Sequence, residues 1–214
     1  MPSAETPPRR RRRDAPTKGD LREKAILDAA EELLEVESFD GITVEAIARG
    51  AGIARNALYF YFASKQEVFT ALVRRTVAEI SEDATSVVAD AQLAPREAIV
   101  RAVRNTERSW AAHGRIMSAA VELGAVIPEI GVVWASTVER YAAAMTEILD
   151  RTDMPADGPG SAPEVARALC WMTERTFYRA YVEGAHVEGV RGAALTHVGD
   201  VCIGIWLAVL PAAD

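Results

Sequence analysis

The chain has few of the residues that enzymes and metal sites usually need. Its 214 residues include only two cysteines and three histidines, and none stands in zinc-ligand spacing or in a nucleophile elbow. No glycine-rich phosphate loop occurs, and no apolar run is long enough to span a bilayer. We therefore expect no catalytic residue, metal, cofactor or membrane partner, and a cytoplasmic location. An enzyme is the disfavoured competing class.

The two cysteines, Cys170 and Cys202, both lie in apolar segments with helical periodicity. Buried thiols in a reducing compartment are the simplest interpretation, because the pair is not spaced as a metal site. A redox switch is the alternative interpretation.

The composition and the apolar periodicity both predict an all-α fold. Half of the residues are apolar, and alanine, leucine, glutamate and arginine are abundant. Apolar positions recur at helical spacing along most of the chain, and no segment shows a convincing strand pattern. We predict about nine helices, with three in an N-terminal domain and six in a C-terminal domain.

The predicted organisation has three parts, and one long helix connects the second part to the third. Residues 1–19 are a disordered, arginine-rich arm, residues 20–66 are a three-helix domain, and residues 67–214 are the helical rear domain. A helix from Ser64 to about Ala91 connects the last two parts. A further break between helices is expected at His113–Gly114.

The net charge of −7 is distributed unevenly along the chain. Residues 1–75 carry 13 basic and 12 acidic side chains, whereas residues 76–214 carry 11 basic and 19 acidic ones. The basic charge is therefore concentrated in the part predicted to meet phosphates. Five consecutive arginines, Arg9–Arg13, either engage phosphates or a minor groove, or form a solubilising tail.

Residues 42–65 have the pattern of two short helices joined by a tight turn. Thr43 is a natural N-cap, and Gly50 and Gly52 flank the turn, where a backbone without Cβ can bend sharply. The second helix offers three side chains on one exposed side: Arg55, Asn56 and Tyr59. A short helix with such side chains suits insertion into a major groove. A helical hairpin with merely solvated charges is the alternative.

This segment resembles the helix-turn-helix of the TetR family of transcriptional regulators. In that family the recognition helix runs into an aromatic signature, which here reads Leu58–Phe62 and is followed by Ser64 and Lys65. The resemblance covers about residues 20–75 and implies a homodimer that binds a palindromic operator in double-stranded DNA. Ala54 stands where many members have a capping serine, so the backbone grip must come from other residues. The predicted DNA-binding residues are Thr43, Arg55, Asn56, Tyr59, Tyr61 and Lys65.

The rear part of the chain is unusually rich in large aromatic side chains. All four tryptophans lie there: Trp110, Trp134, Trp171 and Trp206. Large aromatics with a few polar neighbours are typical of a small-molecule pocket between helices. The alternative is that these rings simply fill a core or a dimer interface.

A second resemblance points to the contents of that pocket. The run Leu169–Thr176 is similar to a helix of the actinobacterial TetR-type repressors that control activation of the prodrug ethionamide. The similarity implies a largely apolar tunnel for an elongated hydrophobic ligand. Cys170 and Thr173 stand where that subgroup has two asparagines, so the ligand here is expected to differ. The implied ligand-binding residues are Trp110, Trp134, Tyr141, Met145, Cys170, Thr173, Glu174, Tyr178 and Trp206.

These observations predict that residues 20–66 are a helix-turn-helix DNA-binding domain and that residues 67–214 are a helical ligand-binding and dimerisation domain. They lead to one functional prediction. The chain is expected to be a transcriptional repressor that binds its operator as a dimer and is released by a small hydrophobic effector. A DNA-binding dimer of the same fold without small-molecule sensing is the alternative. The last two helices are expected to form the dimer interface, with these residues available: Phe177, Tyr181, Val201, Ile205 and Leu207.

Overall fold

The computed structural model describes residues 17–88, 93–155, 157–184 and 190–211. Within these ranges the chain forms eight helices and no strand. They are α1 Lys18–Val36, α2 Val44–Gly50, α3 Arg55–Leu58, α4 Lys65–Val88, α5 Pro95–Leu123, α6 Pro128–Leu149, α7 Ala162–Glu183 and α8 Val190–Ala208. The all-α prediction is confirmed. The arginine run Arg9–Arg13 and the expected end of α4 near Ala91 lie outside the described residues.

The predicted helix break at His113–Gly114 is wrong, which reduces the predicted nine helices to eight in the described ranges. Helix α5 continues through both residues. Gly114 is buried, and a Cβ built on it would lie only 2.1 Å from Cε2 of Tyr181. The glycine therefore allows an aromatic ring of α7 to pack directly on the backbone of α5, and does not end the helix.

Gly114→Ala is expected to lower the free energy of unfolding by about 1–3 kcal/mol, because the new methyl group overpacks the core. The ring of Tyr181 cannot easily move, since it is buried between Trp110, at 5.9 Å, and the guanidinium of Arg191, at 4.5 Å. Denaturant unfolding measures the change. Gly192→Ala in α8 is the control, because no described atom lies within 4 Å of its Cβ position. Equal stability of the two variants would contradict this account of Gly114.

The N-terminal helices close around a small apolar core. Helix α1 begins with a capping box in which the Thr17 hydroxyl accepts from the Asp20 amide and the Asp20 carboxylate accepts from the Thr17 amide. Helix α1 thus begins at Lys18, two residues before the predicted domain boundary at residue 20. Phe39 packs edge-on against Phe69 of α4, with ring centroids 5.0 Å apart. The first turns of α4 therefore belong to the same core as α1–α3.

Two arginines fasten α1 to the rest of the molecule. Arg75 of α4 pairs with Asp28 at 2.7 Å and with Glu31 at 2.5 Å, both on α1. Arg115 of α5 donates from Nε to the main-chain oxygen of Leu34 near the end of α1, at 2.7 Å. The position of the N-terminal helices consequently depends on both α4 and α5.

The rear part consists of α5–α8 packed with α4 around an apolar core. Trp110 and Trp206 are among its largest fully buried side chains. No single helix in the described ranges is long and apolar enough to cross a membrane; α5 and α6 meet that criterion only as a pair, which is bent by 118°. A cavity lies within this core, and Trp110 and Trp206 form part of its lining.

Candidate functional site

The turn between α2 and α3 has the geometry that its sequence predicts. Thr43 caps α2 by accepting a hydrogen bond from the Ala46 amide at 3.1 Å. Gly52 has φ +65°, a conformation in which a side chain would be strained. Helix α3 has no side-chain cap at Ala54. The two short helices are therefore oriented by the turn and by their buried side chains, Ile47 and Leu58.

The exposed side of α3 presents an arginine that is already held in place. Arg55, Asn56 and Tyr59 are all exposed. The Arg55 guanidinium forms an ion pair with Glu45 of α2 at 2.6 Å, lies 5.9 Å from the ring centroid of Tyr59, and donates weakly to its hydroxyl at 3.5 Å. Glu45 was not among the predicted residues, and no sequence signal links it to Arg55 across the turn. The pair orients a planar donor suited to a guanine edge.

The aromatic signature continues the exposed surface beyond α3. Phe60 is 89% exposed, and Tyr61 is also exposed, whereas Leu58 and Phe62 are buried in the core. Tyr59, Phe60 and Tyr61 are thus three consecutive exposed aromatic residues beside α3. Thr43 is exposed on the same helix-turn-helix.

Lys65 occupies a different environment from the other predicted DNA-binding residues. Its ammonium donates to the main-chain oxygens of Phe39 at 2.8 Å and Ile42 at 2.9 Å, and it lies 4.2 Å from the ring centroid of Phe39. An ammonium has three donors, so at most one is left for a phosphate. The principal effect of Lys65 in this structure is to hold the loop before α2 against the start of α4.

A largely apolar cavity lies between the rear helices. Its volume is about 90 Å³, enough for several water-sized groups, since one such group needs about 10–15 Å³. Eight of the nine predicted ligand-binding residues line it: Trp110, Trp134, Tyr141, Met145, Cys170, Thr173, Glu174 and Trp206. The remaining lining residues are Ile80, Ala102, Val103, Thr106, Ser109, Met117, Thr137 and Val138.

Tyr178, the ninth predicted residue, is not part of the lining. Its ring packs against the ring of Trp110 with centroids 6.4 Å apart and lies beneath the guanidinium of Arg175, at 5.2 Å. Its hydroxyl donates to Glu122 at 3.3 Å. Tyr178 therefore packs behind Trp110, on the side away from the cavity lining.

Two of the lining residues that were not predicted, Val103 and Thr106, could have been found from the sequence, because they share the helical spacing that leads to Trp110.

The polar groups of the cavity wall include two indole nitrogens and the side chains that accept from them. Trp206 Nε1 donates to Thr173 Oγ1 at 3.0 Å, and Trp134 Nε1 donates to Glu174 Oε1 at 3.0 Å. The second carboxylate oxygen of Glu174, Oε2, is buried and has no hydrogen-bond partner. Burial raises the pKa of the Glu174 carboxyl, an effect that the indole hydrogen bond opposes.

The cysteines are poor nucleophiles in this environment. Burial raises the pKa of the Cys170 thiol to about 12, and the charge of Glu139 adds to the rise. Burial also raises the pKa of Cys202. Both are free thiols, and a protonated thiol is not the reactive form. This disfavours the redox-switch interpretation.

The predicted dimer face needs a correction at two residues. Phe177 and Tyr181 are buried inside the subunit and are not available to a partner. Val201 and Ile205, four residues apart on α8, are exposed, and Leu207 is partly exposed. Tyr181 points inward because it packs against Gly114 and Trp110, and Phe177 belongs to the same buried core.

Two family models match the chain in succession. The model of bacterial regulatory proteins of the tetR family matches residues 26–72, and the model of the C-terminal domain of the transcriptional regulator EthR matches residues 99–210. The second match covers most of α5 and all of α6–α8, which are four of the five helices that line the cavity.

Known proteins show the same similarity over nearly the whole chain. The HTH-type transcriptional regulator EthR of Mycolicibacterium smegmatis is 32% identical over 194 residues, covering 88% of this chain and 89% of that protein. The regulator of the same name from Mycobacterium tuberculosis is 31% identical over 202 residues, covering 92% and 91%. A crystal structure of a transcriptional regulator from Rhodococcus sp. Rha1 has a TM-score of 0.69 at 18% identity, covering 92% of this chain and 100% of that one.

Proposed function

The chain belongs to the tetR family of bacterial regulatory proteins, and we propose that within this family it is a ligand-responsive transcriptional repressor. In this proposal a homodimer binds a palindromic operator, and a small hydrophobic effector releases it. The protein acts in the cytoplasm. The DNA-binding head of one subunit, which is α1–α3 with the first turns of α4, contacts too few base pairs for useful specificity. Two heads related by a two-fold axis are therefore required.

The observation that carries this proposal is that one helix is shared by the two sites. Helix α4 packs against the head at Phe69 and contributes Ile80 to the wall of the cavity. Tyr141, another wall residue, donates from its hydroxyl to the main-chain oxygen of Ile80 at 3.1 Å. A ligand that displaces Tyr141 or presses on Ile80 therefore acts directly on α4.

The physical consequence concerns the spacing of the two heads. Paired recognition helices must lie about 34 Å apart to enter successive major grooves. A tilt of α4 changes this distance as a rigid-body movement, so the operator affinity falls although the ligand does not touch DNA. A hundredfold loss of affinity requires about 2.7 kcal/mol of preference of the ligand for the released spacing.

Selection of bound duplexes from a random DNA library by the full-length protein tests the first half of the proposal. An inverted repeat with half-sites about one helical turn apart is expected. The second half is tested by mass spectrometry of small molecules that copurify with the protein, followed by their return to a ligand-free sample during an operator titration. Absence of an inverted repeat would refute the repressor assignment. An operator affinity that no copurified molecule changes would favour the non-sensing alternative.

Arg55→Ala is expected to weaken specific operator binding by about 1–3 kcal/mol and to relax the preference at one position in each half-site. The reason is the exposed guanidinium that Glu45 and Tyr59 hold in one orientation. Operator titrations at fixed salt with each base pair varied in turn measure both effects. Arg167→Ala removes an equally exposed arginine that pairs with Glu139 in the rear domain, and it should change neither. Matching results for the two variants would contradict the assignment.

A further inference from the structure

The cavity wall contains one polar atom that the protein leaves unsatisfied. Glu174 is only 7% exposed, and its Oε1 accepts from Trp134 while its Oε2 has no hydrogen-bond partner. Arg175 Nε is 3.6 Å from Oε2, beyond hydrogen-bond length, and the Arg175 side chain is 56% exposed to water. A buried carboxylate oxygen without a donor is unfavourable, so a ligand that supplies a donor would remove a cost already present in the free protein.

Most donors of the wall, in contrast, are already engaged. Four hydroxyl groups donate to main-chain oxygens: Thr106 to Ala102, Ser109 to Asn105, Thr137 to Val133 and Tyr141 to Ile80. The indole N–H groups of Trp134 and Trp206 are used as well, and Thr173 Oγ1, which accepts from Trp206, also interacts with the Cys202 thiol. The described wall therefore offers a free acceptor to a ligand, while these four hydroxyls and two of its three indole donors are engaged internally.

The aromatic rings near this acceptor favour a particular kind of donor. Trp134, which holds Oε1, packs edge-on against Trp110 with ring centroids 6.4 Å apart, and both rings line the cavity. The faces of indole rings attract cations, most strongly where water is excluded. A positively charged group beside Glu174 would gain from the carboxylate and from the rings together.

We propose that the effector of this protein is an apolar amine, whose ammonium group binds Glu174 Oε2 while its hydrocarbon part fills the cavity among the tryptophans. The inference rests on the proposed ligand-responsive function and specifies the chemical class of its ligand. A fatty carboxylate is the contrasting class, because its charge would repel Glu174 and because most hydroxyl and indole donors of the wall are already engaged.

A series of three ligands with one hydrocarbon chain and different head groups tests the proposal. Octylammonium, 1-octanol and octanoate are titrated into the full-length protein at neutral pH, with tryptophan fluorescence and melting temperature as readouts. Octylammonium is expected to bind about 10- to 100-fold more tightly than 1-octanol, as for a hydrogen bond between charged groups, and octanoate should bind most weakly.

Two glutamine variants locate the effect. Glu174→Gln keeps an acceptor for Trp134 but replaces the free oxygen with an amide donor, so the ammonium preference should disappear while 1-octanol still binds. Glu139→Gln is the matched control, because Glu139 holds Trp171 Nε1 at 3.0 Å between the same two helices but does not line the cavity. This control should keep the wild-type order.

The outcomes separate this inference from the proposed function. If 1-octanol or octanoate binds wild-type protein as tightly as octylammonium, the cavity is a ligand site but the head-group assignment is wrong. Persistence of the ammonium preference in Glu174→Gln would likewise overturn the assignment. If none of the three binds, the inference is wrong, whereas the sensing function is decided by the copurified molecules and their effect on operator binding. Should Glu174→Gln fail to fold, the order of affinities in wild-type protein decides the question alone.

Discussion

Ile205→Asp is expected to convert the protein into a monomer and to reduce operator affinity by more than about a hundredfold, because an unpaired charge buried in an interface costs several kcal/mol. Ile205 is 38% exposed and Val201 is 43% exposed, and the two lie on the same side of α8. If the two-fold axis of the dimer passes close to Ile205, each aspartate lies near its copy in the partner subunit. Two like charges would then be buried together. Sedimentation or light scattering measures the mass, and an operator titration measures the affinity.

Val132→Asp is the control for this prediction. Val132 lies on α6 and is 66% exposed, so this substitution also replaces an exposed apolar side chain with a charged one, but outside the proposed interface. The control should remain a dimer with normal operator affinity. If the Ile205→Asp protein stays dimeric and binds operator normally, the interface does not include this part of α8. If it stays dimeric but binds operator weakly, the substitution has disturbed the DNA-binding head.

Ala102→Phe is expected to imitate a bound ligand permanently. Ala102 lines the cavity and contributes no side-chain hydrogen bond, so a phenyl ring enters the space without breaking a polar contact. In this respect it is a better site than Thr173, whose hydroxyl accepts from the buried Trp206. The variant should remain a folded dimer, bind operator about a hundredfold more weakly, and no longer gain melting temperature from octylammonium.

Ala111→Phe provides the matched comparison on the same helix. Ala111 is exposed and lies outside the cavity lining, so its ring should change neither operator affinity nor ligand stabilisation. Normal operator binding by Ala102→Phe, together with a preserved response to octylammonium, would show that the cavity does not control α4. Overpacking alone would lower the melting temperature without weakening the operator complex, and this distinguishes strain from switching.

The sequence was sufficient for the fold class and for the family, because both depend on local patterns. Periodic apolar residues predict helices, and the Leu58–Phe62 signature with Ser64 and Lys65 identified a resemblance that the family models and the relatives confirm. Tryptophan placement was also informative, since Trp110, Trp134 and Trp206 all line one cavity. Their role in binding a ligand stays a prediction.

Features that depend on distant contacts could not be read from local patterns. Gly114 looked like a helix break because its partner, the ring of Tyr181, is 67 residues away in the chain. The same separation made Tyr181 look available for a dimer interface. The motif also gave no indication that the Lys65 ammonium donates to the main chain at Phe39 and Ile42, and its contact with DNA stays a prediction.

The two arginines that hold α1 set a condition for engineering hybrid regulators. A chimera that joins this DNA-reading unit to a foreign sensor at the start of α4 would separate Asp28 and Glu31 from Arg75, and Leu34 from Arg115. A junction placed after Arg75 keeps the first set of contacts inside the transplanted segment. The second contact travels with the sensor, so the recipient needs an arginine at the position equivalent to Arg115. Whether a head can be transferred therefore depends on whether the recipient sensor supplies that guanidinium, and less on where the helix-turn-helix ends.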